Sequence, residues 1–550
     1  MSDEQKEVNV EVDVKDLEQA LSNVLSGHIP EDDGMKEIML RSYRANEQEK
    51  QIGVREACRR YPRAVFWTII FSLGVIMCGY DAQIISSFYA LPAFQKKYGD
   101  YVGDDTWAVS AAWQSGLSMG SPIGQVVGTL AAGPPIEWWG RKKCFAAVNV
   151  LCIGFVFMQF FAPNIKVLCA GEILSGMLWG VCVLIGPTYA SEVAPTSLRG
   201  ILTAGTNLAF VIGQLIASGI TKGLSTNNSQ WAYRIPFGVQ WVWPVIILAV
   251  IFWAPESPYW LVRQNDMEGA KAALRKLAWS VDEEEIERNL SLIKETDALE
   301  REMENKTSYW DCFTGIDRFR SEICIMVYSI QVIGGNPLIG YATNFFEVAG
   351  LPTDKAFDMS LGMTAMGFVG TVLCWPLLEK VGRRPMYLFG IGCMTILLFI
   401  IAFLDCAKNY SAKPGLAWAQ ASIMVVWTFL YQATSGPLTF VLIGEIPSTK
   451  LRGKTIAIAT AIQSLCSIVT TVALPYMFSA EEANMRGKVG FVFGGICIFC
   501  SIWAYFRLPE TRNRTFEDLD IMFYRKVPPR HFKKYVIVDS KTLDGEAESA

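Results

Sequence analysis

The chain has 550 residues, 51% of them hydrophobic and only 19% charged, and its mean hydropathy is +0.26. That is too apolar for a soluble protein of this length, which would divide into several domains with polar surfaces. The formal net charge of −4 argues against a nucleic-acid partner, and the only two histidines, His28 and His531, lie outside the apolar region and leave no histidine chemistry within it.

In chain order, residues 1–63 read as a charged segment with an amphipathic stretch at Val14–Leu25. A bilayer-spanning helix needs about 20 mostly apolar residues. Spans are predicted near 64–91, 107–131, 143–162, 166–187, 200–221, 238–255, 322–349, 357–379, 386–404, 416–444, 453–478 and 488–507. The first follows too much polar chain, and is too long, for a cleaved signal peptide. Residues 263–321 read as a charged linker with helices at Glu268–Trp279 and Asp282–Glu304. The acidic run Asp282–Glu285 suits a helix start, where carboxylates meet the positive end of the dipole. Residues 508–550 form a tail, expected to be disordered from 530.

The expected fold class is therefore an all-α polytopic membrane protein with twelve transmembrane helices, arranged as six-helix bundles over 64–262 and 322–507. Basic clusters at Arg55, Arg59, Arg60 and Arg63, at Arg141–Lys143, at Arg383 and Arg384, and beyond Arg507 all fall on one side for an even span count. The positive-inside rule makes that side, and both termini, cytoplasmic. The fourteen cysteines sit mostly within apolar runs, without metal-ligand spacing or a disulfide framework, and read as packing residues. No catalytic constellation, metal site or cofactor is expected.

The two halves repeat. Glu137, Arg141 and Lys142 follow the second span as Glu379, Arg383 and Arg384 follow the eighth. Glu192 stands seven residues before Arg199 after the fourth span, and Glu445 seven before Arg452 after the tenth. Such halves around a midplane site are the usual construction of secondary transporters, and two motif types keeping both order and topology mark a duplication. A carrier that closes on one side while open on the other needs contacts that form and break at modest cost. Arg–carboxylate pairs at helix ends suit this, being partly solvated and geometrically specific. Glu137, Arg141, Glu192, Arg199, Glu256, Glu379, Arg383, Arg384, Glu445 and Arg452 are accordingly the candidate cytoplasmic gate. The positive-inside rule alone explains the bases, though not the recurring acids.

At these motifs the chain resembles the sugar porter family of the major facilitator superfamily over roughly residues 64–523. The marks are Gly79-Tyr80-Asp81, the two Gly-Arg-Lys/Arg turns, Pro255-Glu-Ser-Pro-Tyr-Trp260, Gly436-Pro437, Glu445-Ile-Pro-Ser-Thr-Lys-Leu-Arg452 and Pro509-Glu510-Thr511. The stretches FYALPAFQKKYG, YASEVAPTSLRG and EIPSTKLRGKT are most similar to the fungal maltose permease-like, or α-glucoside, branch. The resemblance implies pseudo-symmetric bundles that rock about a central site, a sugar as solute, a proton as possible co-substrate, and a monomer in the plasma membrane. Cys78, Gln125, Tyr259 and Ile330 depart from the family pattern. These departures keep open a facilitative carrier or an exporter of another polar metabolite, with a non-transporting nutrient receptor as the remaining class.

Sugars carry dense hydroxyls and no charge, so a site for them needs amides that both donate and accept, plus an aromatic face. Gln214, Gln331 and Asn336 match the family's sugar-contacting positions, and Tyr341 and Phe440 resemble its aromatic ones. Asn207 lies seven before Gln214, on the same helix face. Asp81 stands within the first span, where a charge costs ~2.5–3.5 kcal/mol on insertion scales. Glu172 occupies the place where many proton-coupled relatives carry an arginine. Asp81 is thus the candidate proton carrier, with Glu172 modulating it; the competing reading makes Asp81 a hydrogen-bond anchor.

Overall fold

The computed structural model describes residues 54–535, except 104–105, 195, 280–282, 306–307, 408–413, 449–450, 479–481, 513, 515–518, 520–521 and 534. The stretch Val14–Leu25 lies outside the described residues. Helix α1 (Val54–Arg60) precedes the first rod, α2 (Pro62–Phe88). A short α3 (Pro92–Tyr98) and a two-stranded hairpin, β1 (Asp100–Gly103) and β2 (Thr106–Ala108), then lead to α4 (Ala111–Trp139). The hairpin is not anticipated in the sequence, since strands of 4 and 3 residues are too short to show an alternating pattern. Helices α5 (Arg141–Phe160), α6 (Ile165–Val193) and α7 (Thr196–Leu224) follow, and a divided sixth rod, α8 (Trp231–Val239) and α9 (Val242–Ile251), completes the first half.

The linker carries α10 (Pro258–Arg263), α11 (Met267–Leu277) and α12 (Glu283–Asn305). Asp266 caps α11 through the amide of Gly269, at 2.8 Å. Arg263 pairs with Asp297 at 2.7 Å, and Tyr61 donates to Glu285 at 3.3 Å, so the linker helices lie on the first half.

The second half begins with a rod in three pieces, α13 (Asp317–Ile333), α14 (Pro337–Gly340) and α15 (Ala342–Val348). Helices α16 (Thr353–Val381) and α17 (Arg383–Asp405) follow, then a divided rod, α18 (Pro414–Ala433) and α19 (Ser435–Glu445), and finally α20 (Arg452–Phe478) and α21 (Val489–Arg507). Ten of these segments are long and apolar enough to cross a membrane. The remaining two rods, α4 and α18–α19, are diluted by Gly, Ser, Pro and Gln and fall short of that apolarity; with them the rods number the expected twelve.

The halves are built alike. In the first, α2 packs on α7, α4 on α6 and α5 on α9; in the second, α13 packs on α20, α16 on α18 and α17 on α21. The seams between halves repeat as well, α7 against α16 and α4 against α20. Small residues allow the closest of these approaches. A Cβ on Gly124 would stand 2.2 Å from the carbonyl oxygen of Ile173, and one on Gly213 would stand 2.1 Å from that of Ile76.

Beyond α21 the tail is not wholly loose, as the sequence suggested. Phe532 is fully buried, its ring 5.1 Å from that of Phe523, so residues near 530 fold back onto the bundle. All fourteen cysteines are free, and only Cys58 and Cys406 are exposed.

Candidate functional site

Three sets of polar side chains stand out. The first is inside the first half. Asp81 and Glu172 are both fully buried. Gln240 Nε2 donates to Asp81 Oδ1 at 2.8 Å and Trp179 Nε1 to Oδ2 at 2.9 Å, while Gln159 Nε2 donates to Glu172 Oε1 at 2.8 Å. Glu172 and Ser121 are themselves within hydrogen-bonding reach of Asp81. Four helices, α2, α4, α5 and α6, and the α8–α9 turn thus converge on two carboxylates, and among the described residues no cation bonds either one. The sequence points to the two acids; Gln159, Gln240 and Trp179 carry no motif that singles them out.

The second set surrounds two breaks. In the seventh rod Gly334 and Gly335, the latter at φ +113°, interrupt the helix. A Cβ on Gly335 would lie 3.2 Å from the Trp427 ring. In the tenth rod Thr434 (φ −129°, ψ −93°) separates α18 from α19. Gln331 Nε2 donates to the Gly436 carbonyl at 3.4 Å, joining one break to the other. Asn207 Nδ2 reaches across the seam to Gln432 Oε1 at 3.3 Å, and Thr371 donates to the same oxygen at 3.4 Å. Gln432 is therefore a member of this set that sequence reading missed. Gln214 and Asn336 are half-buried, and their side chains make no hydrogen bond to a described residue. Phe440 packs edge-on against Tyr328, with centroids 5.9 Å apart.

Tyr341 belongs to a different place. Its hydroxyl donates to Ser118 at 2.6 Å, and its ring stacks on Tyr89 at 5.8 Å, across the seam. Ser115 donates to the Val472 carbonyl at 3.2 Å. Lys222 at the end of α7 pairs with Asp354, and with Asp358 at 2.8 Å, both at the start of α16. These bonds close the seam at the end opposite the linker. The ion pair has no sequence signature, because all three charges lie at rod ends where charge is ordinary.

The third set lies at the linker end and is built twice. Arg141 Nη2 pairs with Glu192 at 2.6 Å as Arg383 Nη2 pairs with Glu445 at 2.8 Å. Glu256 accepts the backbone amides of Arg141 (3.0 Å) and Lys142 (3.1 Å); Glu510 accepts those of Arg383 (2.9 Å) and Arg384 (3.2 Å). Each acid sits beside a turn glycine in the left-handed region, Gly140 at φ +84° and Gly382 at φ +98°. Burial pushes the Glu256 carboxyl up, while the amides of Ser257, Lys142 and Arg141 pull it back. The side chain of Glu137 is exposed and makes no ion pair among the described residues; its carbonyl accepts from Trp260 Nε1 at 2.7 Å. Arg452 is exposed at the start of α20. Arg199 lies in α7 and Glu379 in α16. Glu510 was absent from the expected gate, although Pro509-Glu510 repeats Pro255-Glu256 and could have revealed it. Both Arg–Glu pairs lie within a half, so they brace the helix ends of one bundle and do not span the seam.

On the linker itself, Lys271 pairs with Glu283 at 2.9 Å and with Glu287 at 2.6 Å, and Arg275 pairs with Glu283. Arg275 and then Lys271 hold the Glu283 carboxyl at about 2, below its ordinary 4.5. A depressed carboxyl stabilises the fold above its unfolded value and loses that contribution as pH falls through the folded one. Docking of α11 on α12 is therefore expected to be constant above about pH 4.5 and to weaken between there and about 2. Hydrogen exchange over 267–277 reads this; a Glu283→Gln variant whose exchange keeps the same acid dependence would refute it.

Two six-helix halves, broken rods at their interface and a polar seam define a multi-pass membrane transporter with the major facilitator fold. Residues 67–523 match the family described as "Sugar (and other) transporter", and the chain belongs to that family. A maltose permease of Saccharomyces cerevisiae is 36% identical over 510 residues, covering 91% of this chain and 82% of the permease. A general alpha-glucoside permease of the same yeast is 34% identical over 499 residues, covering 90% and 80%. Among solved structures, the xylose transporter XylE of E. coli in a partially occluded inward-open conformation superposes with a TM-score of 0.67 at 21% identity, covering 83% of this chain and 99% of XylE. The proton:xylose symporter form of XylE bound to 6-bromo-6-deoxy-D-glucose gives 0.66 at 22%, covering 84% and 99%. At that identity the likeness concerns the fold.

Proposed function

We propose that this transporter carries a sugar, a hexose or an α-glucoside-like oligosaccharide, by alternating access coupled to a proton. It acts as a monomer in the plasma membrane with both termini cytoplasmic, and the bundles 64–262 and 322–507 move against each other. The observation that carries the coupling is the buried Asp81–Glu172 pair, held only by neutral donors. Two adjacent carboxylates on neighbouring apolar spans are tolerated when a proton is shared between them, because burial and like charge both oppose double ionisation. Taking up or releasing that proton changes the charge inside the first half and so its freedom to reorient.

The solute site lies where the seventh and tenth rods break. Asn207, Gln214, Gln331, Asn336 and Gln432 supply amides, Phe440 an aromatic face, and the breaks supply backbone groups free of helix bonding. Tyr341 covers the site from the side opposite the linker. The names of the yeast relatives favour an α-glucoside. The basic turns support a cytoplasmic linker end, where the gate residues Arg141, Glu192, Glu256, Arg383, Arg384, Glu445 and Glu510 keep each bundle rigid. Glu137, Arg199, Glu379 and Arg452 flank the same turns.

Uptake of labelled glucose and maltose into proteoliposomes, with and without an imposed pH gradient, tests both parts. Accumulation above equilibrium only under the gradient is expected. Equal uptake in both conditions would make the carrier facilitative, and failure of every sugar to compete would transfer the reading to another polar metabolite.

With the linker end cytoplasmic, Lys222 latches the outer side. Partly exposed pairs are worth up to about 1 kcal/mol, so Lys222→Gln is expected to raise the outward-open population by roughly five-fold. Alkylation of a Ser115→Cys reporter by an impermeant maleimide should speed up by that factor. An unchanged rate would remove Lys222 from the gate.

A further inference from the structure

At the linker end of the first half, a cavity of about 530 Å³ opens between the start of α5, the end of the sixth rod, α10 and α11. Its size falls within the usual range for small-ligand sites. Lys142, Lys143 and Lys276 line it, with Trp260 on one wall. Lys143 and Lys276 are exposed, neither has an ion-pair partner among the described residues, and both stand close enough to Lys142 to repel it. Glu256 attracts Lys142, but among the described residues no acid pairs with Lys143 or Lys276, and two such ammonium groups drawn toward a third are an arrangement that an anion relieves.

The acids of the cavity do not supply that anion. Glu256 is committed to the amides of Arg141, Lys142 and Ser257, and Asp266 to its cap on Gly269. Lys142 Nζ itself donates to the Phe252 carbonyl at 2.8 Å, which leaves Lys143 and Lys276 as the pair able to close on a ligand. One of them belongs to the bundle and the other to the linker.

The depth of the cavity selects the ligand. Trp138 and Trp139 at the end of α4, and Phe252 and Trp253 after α9, are all exposed beside it. Aromatic side chains of this kind collect at the level of lipid headgroups. At the matching place in the second half the chain provides its own cover. Arg530 from the tail lies over Tyr505 and Phe506, at 4.5 and 4.2 Å, and Arg384 Nη2 bonds the Tyr505 carbonyl at 2.8 Å.

We propose that the cavity binds the phosphorylated headgroup of an anionic membrane lipid, of the inositol-phosphate class, which bridges Lys143 to Lys276 and fixes α11 against the first half. The test uses the full chain in phosphatidylcholine nanodiscs, titrated with short-chain phosphatidylinositol 4-phosphate and followed by native mass spectrometry. Binding is expected to weaken about ten-fold or more in Lys143→Gln/Lys276→Gln, the order anticipated for two surface cations near a charged headgroup. A Lys96→Gln/Lys97→Gln control at the opposite end should bind as the parent does. The lipid should also slow hydrogen exchange over 267–277 in the parent and not in the double variant. Unchanged binding by the Lys143/Lys276 variant, or an equal loss in the control, overturns the site. Soluble inositol 1,4-bisphosphate or inorganic phosphate binding as tightly as the lipid overturns the lipid as its source.

Discussion

Asp81→Asn is expected to abolish gradient-driven accumulation while leaving solute exchange across the membrane measurable. With one proton per solute, a gradient of one pH unit, worth about 1.4 kcal/mol, supports at most ~10-fold accumulation. The variant should bring that ratio to one. The substitution keeps the shape but not the chemistry. Gln240 and Trp179 each donate to a different oxygen of Asp81, and an asparagine accepts at only one of them. One buried donor then loses its partner, at a cost of about 1–3 kcal/mol. Stability therefore falls modestly while coupling is lost outright, and counterflow of preloaded solute distinguishes the two. Glu172→Gln is the companion variant: it retains the acceptor for Gln159 and should shift the pH dependence of uptake without abolishing it. Accumulation that survives Asp81→Asn would move the proton elsewhere.

The second large effect concerns the duplicated turns. Arg141 and Glu192 are 8% and 13% exposed, whereas Arg383 and Glu445 are 18% and 24% exposed. Removing one partner of a buried pair leaves an uncompensated charge and costs about 3–5 kcal/mol. Arg141→Ala is expected near that figure and Arg383→Ala clearly below it, because water reaches the orphaned Glu445 and Thr511 already donates to it at 2.6 Å. Adding Glu192→Gln to Arg141→Ala should recover part of the loss, since the stranded charge is then gone. Thermal unfolding in detergent gives the ordering, and equal losses in the two halves would contradict it.

Much of this architecture is legible in the sequence, for a reason that also limits the reading. Apolar length and the side of the basic clusters report each rod independently, so the twelve spans and the repeated Gly-Arg turns stand out even where α4 is rich in Gly and Pro. The Gly334-Gly335 break announces itself by composition. The break at Thr434 does not, because a single non-helical residue leaves no pattern. Polar partners are harder still: Gln159, Gln240 and Gln432 are isolated amides whose meaning comes from what lies across the bundle. Tyr341 shows the same limit from the other side. Its position marks it as a sugar contact, while the bond of its hydroxyl to Ser118 is revealed only by the packed seam.

The cysteines carry a practical corollary. Twelve of the fourteen are partly or fully enclosed by packing, and the two exposed thiols lie at opposite extremities, Cys58 ahead of the first rod and Cys406 after the ninth. The native chain therefore comes with a reporter on each face. An impermeant thiol reagent applied to intact cells would tag one and spare the other, fixing the sidedness of the whole assembly without a single substitution.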